Sequence, residues 1–223
     1  MTEPLLETRG LCKFYKSSGG LLHAVEDVDL SIAPGRTLGI VGESGCGKSS
    51  LGRTVLRLET PSAGSVLFGG EDLAAMDRRR LRAARRDMQM IFQDPYSSLD
   101  PHMTVFQLVA EPLRELVRMP AAEARERVLD TMERCGLPAE YADSYPHELD
   151  GGRRQRVGLA RAMAVEPRFV VCDEPVSALD LSVQAQILNL LMDLQEQRGL
   201  SYMFISHDLC VVQHISDDIA VMY

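Results

Sequence analysis

The run Gly42-Glu-Ser-Gly-Cys-Gly-Lys48-Ser49 follows the pattern G-x-x-x-x-G-K-[ST], a spacing suited to holding a polyphosphate. Glycines 42, 45 and 47 let the backbone wrap with its N–H groups turned inward, and a helix opening at the end of the run adds partial positive charge. Lys48 would reach the terminal phosphates, and Ser49 would ligand the Mg²⁺ that accompanies them. About 125 residues further on, Phe169-Val-Val-Cys-Asp173-Glu174 is an apolar strand ending in two adjacent carboxylates. Asp173 would hold the Mg²⁺ shell, and Glu174 would orient and polarise the attacking water as general base, because in-line hydrolysis needs a positioned nucleophile. Alone, the acidic pair reads as the N-cap of whatever follows Pro175. Beside a phosphate loop the catalytic reading takes precedence.

These groups need elements to carry them. Val25 to Ile32 alternates in part, and Pro34-Gly35 turns it into Thr37 to Val41, so two strands are expected before the loop. Ser50 to Leu58 has Leu51, Val55 and Leu58 at helical spacing, and Pro61 to Gly64 breaks it before a strand at Ser65 to Phe68. From Thr104 to Cys135 the composition turns helical, punctuated by Pro112 and Pro120. A helix from Arg153 to Val165, the strand Phe169 to Cys172, a helix from about Leu181 to Gln197 and a strand at Ser201 to Ile205 follow. The alternation predicts an α/β chain with a mainly parallel sheet, and the final Asp218 to Tyr223 reads as a strand that stops, as in a truncated chain.

Composition narrows the class. With 24 Lys and Arg against 32 Asp and Glu the formal charge is −8, and 45% apolar residues with 25% charged are ordinary for a folded domain. Disorder and fibre are excluded, and bulk acidity argues against a nucleic-acid surface. No apolar run approaches the roughly 18 residues of a membrane span, and MTEPLLETRG lacks the basic and apolar regions of a secretory signal. Five scattered cysteines without a Cys-x-x-Cys pair fit a reducing cytoplasm. The basic run Arg78-Arg-Arg80, Arg82, Arg85, Arg86 is expected to be a solvated helical face, with Met88 and Met90 packing in the core.

Five ordered motifs together resemble the ATP-binding cassette (ABC) ATPases, and their wording is similar to the ATPase subunits of bacterial oligopeptide and dipeptide importers and their nickel-importing relatives. They are Val41 to Ser50, Gln89-Met-Ile-Phe-Gln-Asp-Pro-Tyr-Ser-Ser-Leu-Asp-Pro101, Tyr145-Pro-His-Glu-Leu149, Asp173-Glu-Pro-Val-Ser-Ala-Leu-Asp180 and Phe204-Ile-Ser-His-Asp208. The resemblance implies a P-loop (RecA-like) core in a single domain spanning 1–223, with an N-terminal antiparallel β element and a helical insert from about Asp94 to Gly152. It implies that Gly42, Glu43, Ser44, Gly45, Cys46, Gly47, Lys48, Ser49 and Ser50 contact ATP and that Ser49, Gln93 and Asp173 serve Mg²⁺. Glu174, Gln93 and His207 would be the catalytic set, Tyr15 would stack on adenine, and Asp180 would lie across a dimer seam. The partners implied are a second ATPase subunit, as homo- or heterodimer, and transmembrane permeases, with the chain peripheral on the cytoplasmic face of the cell membrane.

The signature is where the chain departs. The family's Leu-Ser-Gly-Gly-Gln is here Leu149-Asp150-Gly151-Gly152-Arg153. In the family the serine donates to the γ-phosphate held by the opposite subunit, whereas a carboxylate only accepts and would repel it. Asp is also an excellent N-cap, and Arg153 offsets part of its charge. The rival readings are a degenerate nucleotide-binding subunit with a weakened composite site and a soluble, non-transport ABC ATPase.

Overall fold

A computed structural model of the chain describes residues 3–17, 20–94 and 98–223, with Ser17 described in its backbone alone. Pro95, Tyr96 and Ser97, part of the motif running from Gln89 to Pro101, lie outside the described residues.

Three strands, not two, precede the phosphate loop: β1 (Leu6–Ser17), β2 (Gly20–Ile32) and β3 (Thr37–Gly42). β1 escapes a search for strict alternation because Gly10, at φ +54°, begins an irregular stretch, and the pairing with β2 shifts register between Thr8 and Leu11 and twice more by Phe14. β1 pairs antiparallel with β2 and with β4 (Ala63–Phe68), and β5 (Glu71–Asp72) closes a sheet of order β2-β1-β4-β5. This is the expected N-terminal antiparallel element.

The second sheet is parallel throughout, in the order β6 (Met88–Ile91), β7 (Phe169–Asp173), β8 (Ser201–Ser206), β3, β9 (Asp218–Met222). Every residue of β7 and β8 is buried, as expected of strands covered on both faces. One apolar cluster joins this sheet to the antiparallel one and to the helix Lys48–Val55 through Leu6, Ile32, Ile40, Leu51, Val55, Phe169 and Met203. That helix stops three residues short of the predicted end, because Arg57 takes φ +55° and turns Leu58 outward.

The other cluster fills the opposite face of the sheet and extends among the helices. The helical composition from Thr104 resolves into Val105–Pro112, capped reciprocally by Thr104 and Gln107, a π-turn at Leu113–Val117, and the helix Ala121–Arg134. The helix Gly151–Met163 packs on both. The helix Leu181–Arg198 and the short Leu209–Ile215 cover the sheet. Arg161 donates to Ser98 O and to the Glu111 carboxylate, both at 2.8 Å, tying the segment after β6 to the first of these helices. The basic run forms the helix Arg78–Asp87 with no buried residue, while Met88 and Met90 are buried in β6.

Candidate functional site

The parallel register aligns the carboxyl ends of β6, β7, β8 and β3: Ile91 lies beside Cys172, Asp173 beside Ile205 and Val41 beside Ser206. Ligands bind at this edge in open parallel sheets. Gln93, Asp173, Glu174, His207 and the loop after β3 therefore converge, although 81 residues separate Gln93 from Glu174.

The loop from Gly42 to Gly47 is pinned on both sides. A Cβ on Gly47 (φ +102°) would stand 1.9 Å from Ala24 O of β2, and one on Gly42 would stand 2.1 Å from Met222 O of β9. Only glycine permits either approach. Gly47 then caps the helix Lys48–Val55 without a side-chain acceptor, leaving that helix start for an outside anion. Lys48 is buried at 5% exposure, and its ammonium donates to Gly42 O at 2.9 Å and Glu43 O at 2.7 Å. Glu43, Ser44 and Gly45 are exposed, and Cys46 is half-buried with its Sγ 3.9 Å from Lys48 Nζ.

Across the cleft Ser49 Oγ donates to Asp173 Oδ1 at 2.8 Å. Asp173 is buried, and burial pushes its carboxyl above the ordinary range, against the lowering effect of the Ser49 hydroxyl. A desolvated carboxylate beside a hydroxyl is a pair of hard oxygen donors that a divalent cation would relieve.

Glu174 sits at φ +46°, unusual for a residue with a Cβ, with its N–H donating to Ile205 O at 2.9 Å. Its Oε2 accepts from Gln93 Nε2 at 3.0 Å and lies 3.3 Å from His207 Nδ1. The carboxylate is largely covered, at 14% exposure, while His207 stands open at 57%. Left-handed backbone at a strand end costs roughly 1–3 kcal/mol and is kept where surrounding structure enforces it. Here it turns Glu174 toward two polar partners while Asp173 points at Ser49.

Tyr15 reaches the same edge from β1. Its hydroxyl donates to the Glu59 carboxylate and stands 3.2 Å from Ser50 Oγ, and Lys13 Nζ lies 4.9 Å from the ring centre. Burial first, then Glu59, holds the phenol above its usual range. The neighbouring Phe14 packs on His23 instead, with ring centres 4.2 Å apart. Nothing in the sequence marks Glu59 as a partner of Tyr15, since it lies in an irregular turn 44 residues away.

The remaining candidates are elsewhere. Among the described residues no hydrogen bond or ion pair joins Asp150, Gly151, Gly152 or Asp180 to Lys48, Ser49, Asp173 or Glu174. Asp150 caps the helix Gly151–Met163, a Cβ on Gly152 would meet Val183 at 2.8 Å, and one on Gly151 would meet Leu179 at 3.5 Å. The signature glycines thus sit against the segment around Asp180, which is exposed and followed by Leu181 at 83% exposure. Together they form a second surface.

Comparison with known proteins bears on both surfaces. A family model described as "ABC transporter" matches residues 25–177. The chain is 50% identical, over its full length and 74% of the relative's, to "Oligopeptide transport ATP-binding protein OppF" of Bacillus subtilis (strain 168). It is 46% identical to AppF of the same organism over 99% of this chain and 70% of that protein. It is 48% identical to "Probable peptide ABC transporter ATP-binding protein y4tS" of Sinorhizobium fredii, covering 65% of that protein. Among solved structures it matches the dimeric post-hydrolysis state of the ATP-binding cassette MJ0796 bound to ADP and Pi. That match has a TM-score of 0.87 and 30% identity, over 97% of this chain and 94% of that one. The cassette cbiO1 of Clostridium perfringens matches with a TM-score of 0.85 and 29% identity, over 99% and 85%.

Proposed function

The chain belongs to the ABC transporter family, and from that premise we propose that it binds and hydrolyses ATP as the energising subunit of a peptide importer, with Glu174 as the general base. The observation that carries this reading is the Glu174 carboxylate held between Gln93 and His207, across from the Ser49–Asp173 pair. The degenerate and non-transport alternatives are not favoured, since the relatives named above carry the names of peptide or oligopeptide transport ATP-binding proteins.

The residues present fit MgATP. Lys48 brings a buried ammonium to the loop, the helix start behind Gly47 has no side-chain cap, and Ser49, Asp173 and Gln93 offer hard oxygens for Mg²⁺. When bound, MgATP supplies the phosphoanhydride and a cation that spreads its charge. Lys48 would turn from the carbonyls of Gly42 and Glu43 to the terminal phosphates. Glu174 would take a proton from the attacking water onto Oε2, the oxygen that Gln93 and His207 fix. Tyr15, beside Ser50, would offer a ring face to the base.

The partners follow from the second surface. Two subunits would pair head to tail, each offering Gly151, Gly152 and Asp180 to the other's phosphate loop, as supported by the dimeric assembly of the MJ0796 structures. A groove of about 290 Å³ between β6 and the insert helices, lined by Met90, Phe92, Leu116 and Gln155, would seat a permease. There the amide nitrogen of Gln155 is buried without a hydrogen-bond partner among the described residues. Among the described residues no helix is long and apolar enough to cross a membrane. Through such permeases the chain would sit at the cytoplasmic membrane face, a reading supported by the transport names of its relatives.

Glu174→Gln tests the reading. Turnover should fall by roughly a hundredfold or more while ATP stays bound and a dimer accumulates in size-exclusion chromatography. Parental turnover in that variant rules Glu174 out as the base.

A further inference from the structure

Resting on the composite-site reading above, we infer that Asp150 and Arg153 work as one charge-balanced unit, in which Arg153 is a positioning residue that fixes and neutralises the Asp150 carboxylate where it would face the partner subunit's nucleotide. The sequence alone points to repulsion at this place. The structure gives the carboxylate an owner. Asp150 Oδ1 accepts the backbone N–H of Arg153 at 2.8 Å, and Oδ2 accepts Arg153 Nη1 at 2.6 Å, so both oxygens are committed to the same residue. The guanidinium in turn lies over the ring of Tyr141, 4.7 Å from its centre, on the wall of a cavity of about 400 Å³ that Asp150 and Gly152 share. A planar cation held by a carboxylate on one side and a ring face on the other is restricted in orientation.

The electrostatic consequence differs from the thermodynamic one. The pair is about half exposed, 57% for Asp150 and 45% for Arg153, so solvent screens it and it adds little to folding. What it changes is the field at the start of the helix Gly151–Met163. With the two charges cancelled, the first helical N–H groups, at Gly151 and Gly152, set the sign of that field, and an anion is tolerated there. Without Arg153, a bare carboxylate would stand beside it.

A double-mutant cycle tests this, using the full chain in the Glu174→Gln background and reading ATP-driven dimerisation by light scattering, with steady-state phosphate release measured on the same pair of substitutions in the parent chain. Arg153→Gln should weaken the ATP-bound dimer and lower turnover, each by about tenfold or more. Adding Asp150→Ser should restore both to within about threefold of the parent, whereas Asp150→Ser with Arg153 present should change them by a smaller factor. The loss in Arg153→Gln should shrink as salt is raised, and ADP affinity and melting temperature should stay put, which a packing defect would not allow. Arg153→Lys keeps the charge and should stay within about threefold of the parent. Additive effects across the cycle, or a loss in Arg153→Lys equal to that in Arg153→Gln, overturn the inference. Failure of Glu174→Gln to dimerise with ATP would sink the composite-site reading itself and this inference with it; normal dimerisation with an additive cycle sinks the inference alone.

Discussion

At the phosphate edge the chain satisfies its charged groups from within: Lys48 on loop carbonyls, Ser49 on Asp173, and Glu174 between Gln93 and His207. At the signature edge Asp150 caps its own helix and pairs with Arg153, while Asp180 and Leu181 face outward. The first region is assembled from four strand ends, with Lys48 and Asp173 buried, Ser49 and Glu174 half-buried, and Gln93 and His207 exposed around them. The second is one helix start and one loop, open to solvent. On the function proposed above, the contrast separates the groups that one chain already pairs from those that a second subunit would meet.

The sharpest way to break that contrast is at Lys48. Lys48→Ala removes the buried ammonium of the loop and should weaken ATP binding by roughly a hundredfold or more in calorimetry with Mg²⁺, while leaving the signature surface intact. Equal affinity in variant and parent removes the phosphate-loop assignment. Next in size, Gln93→Ala and His207→Ala should each lower turnover by roughly tenfold with ADP affinity unchanged. Because both act on one carboxylate oxygen, the double variant should lose less than the product of the two. A full product would mean two independent roles.

A smaller effect with opposite signs is expected at Asp173. Burial raises its carboxyl pKa above the ordinary 3.8, so the folded chain holds that proton more tightly than the unfolded one. The stabilising contribution is fully present below the unfolded value and is lost as pH rises through the folded value. Asp173→Asn cannot ionise and should therefore melt higher than the parent at neutral pH, with the gap closing toward acid, while Mg²⁺-dependent nucleotide affinity falls. A gain of about 1 kcal/mol would appear as about 2–4 °C in a chain of this size. Equal melting curves across pH would show that Asp173 carries no such strain. Least of all, Asp150→Ala should cost about 1 kcal/mol through the lost cap, read by thermal melting, and Asp150→Ser only a few tenths.

Much of the phosphate edge was legible because its motifs carry their own context: a strand before Gly42, a helix after Lys48, and an apolar run before Asp173. The contact between Gln93 and Glu174 was not legible from spacing, since only strand order brings β6 beside β7. β1 was hidden by the irregularity at Gly10, and β6 by its brevity, four residues continuing directly from a basic helix without a turn residue. The helical run from Thr104 was right in kind, but its composition did not disclose the break at Leu113–Val117 or the left-handed Arg118. At Asp150 the sequence showed the departure and an adjacent arginine; the closing of the two into a pair depends on helix geometry, which sets residues three apart on one face.

The position of β3 has a consequence for how the molecule is made. Its two neighbours in the sheet are β8 and β9, whose residues begin at Ser201 and Asp218. During synthesis at about 5–20 residues per second, roughly 8–32 s separate the emergence of the loop after β3 from that of the first strand able to flank it. Until then nothing in the parallel sheet pairs with β3, and the carbonyl of Met222 that closes against Gly42 does not yet exist. The loop proposed to hold the nucleotide is translated early yet is among the last parts to acquire its shape, so ATP would select chains whose translation has reached the end of β9.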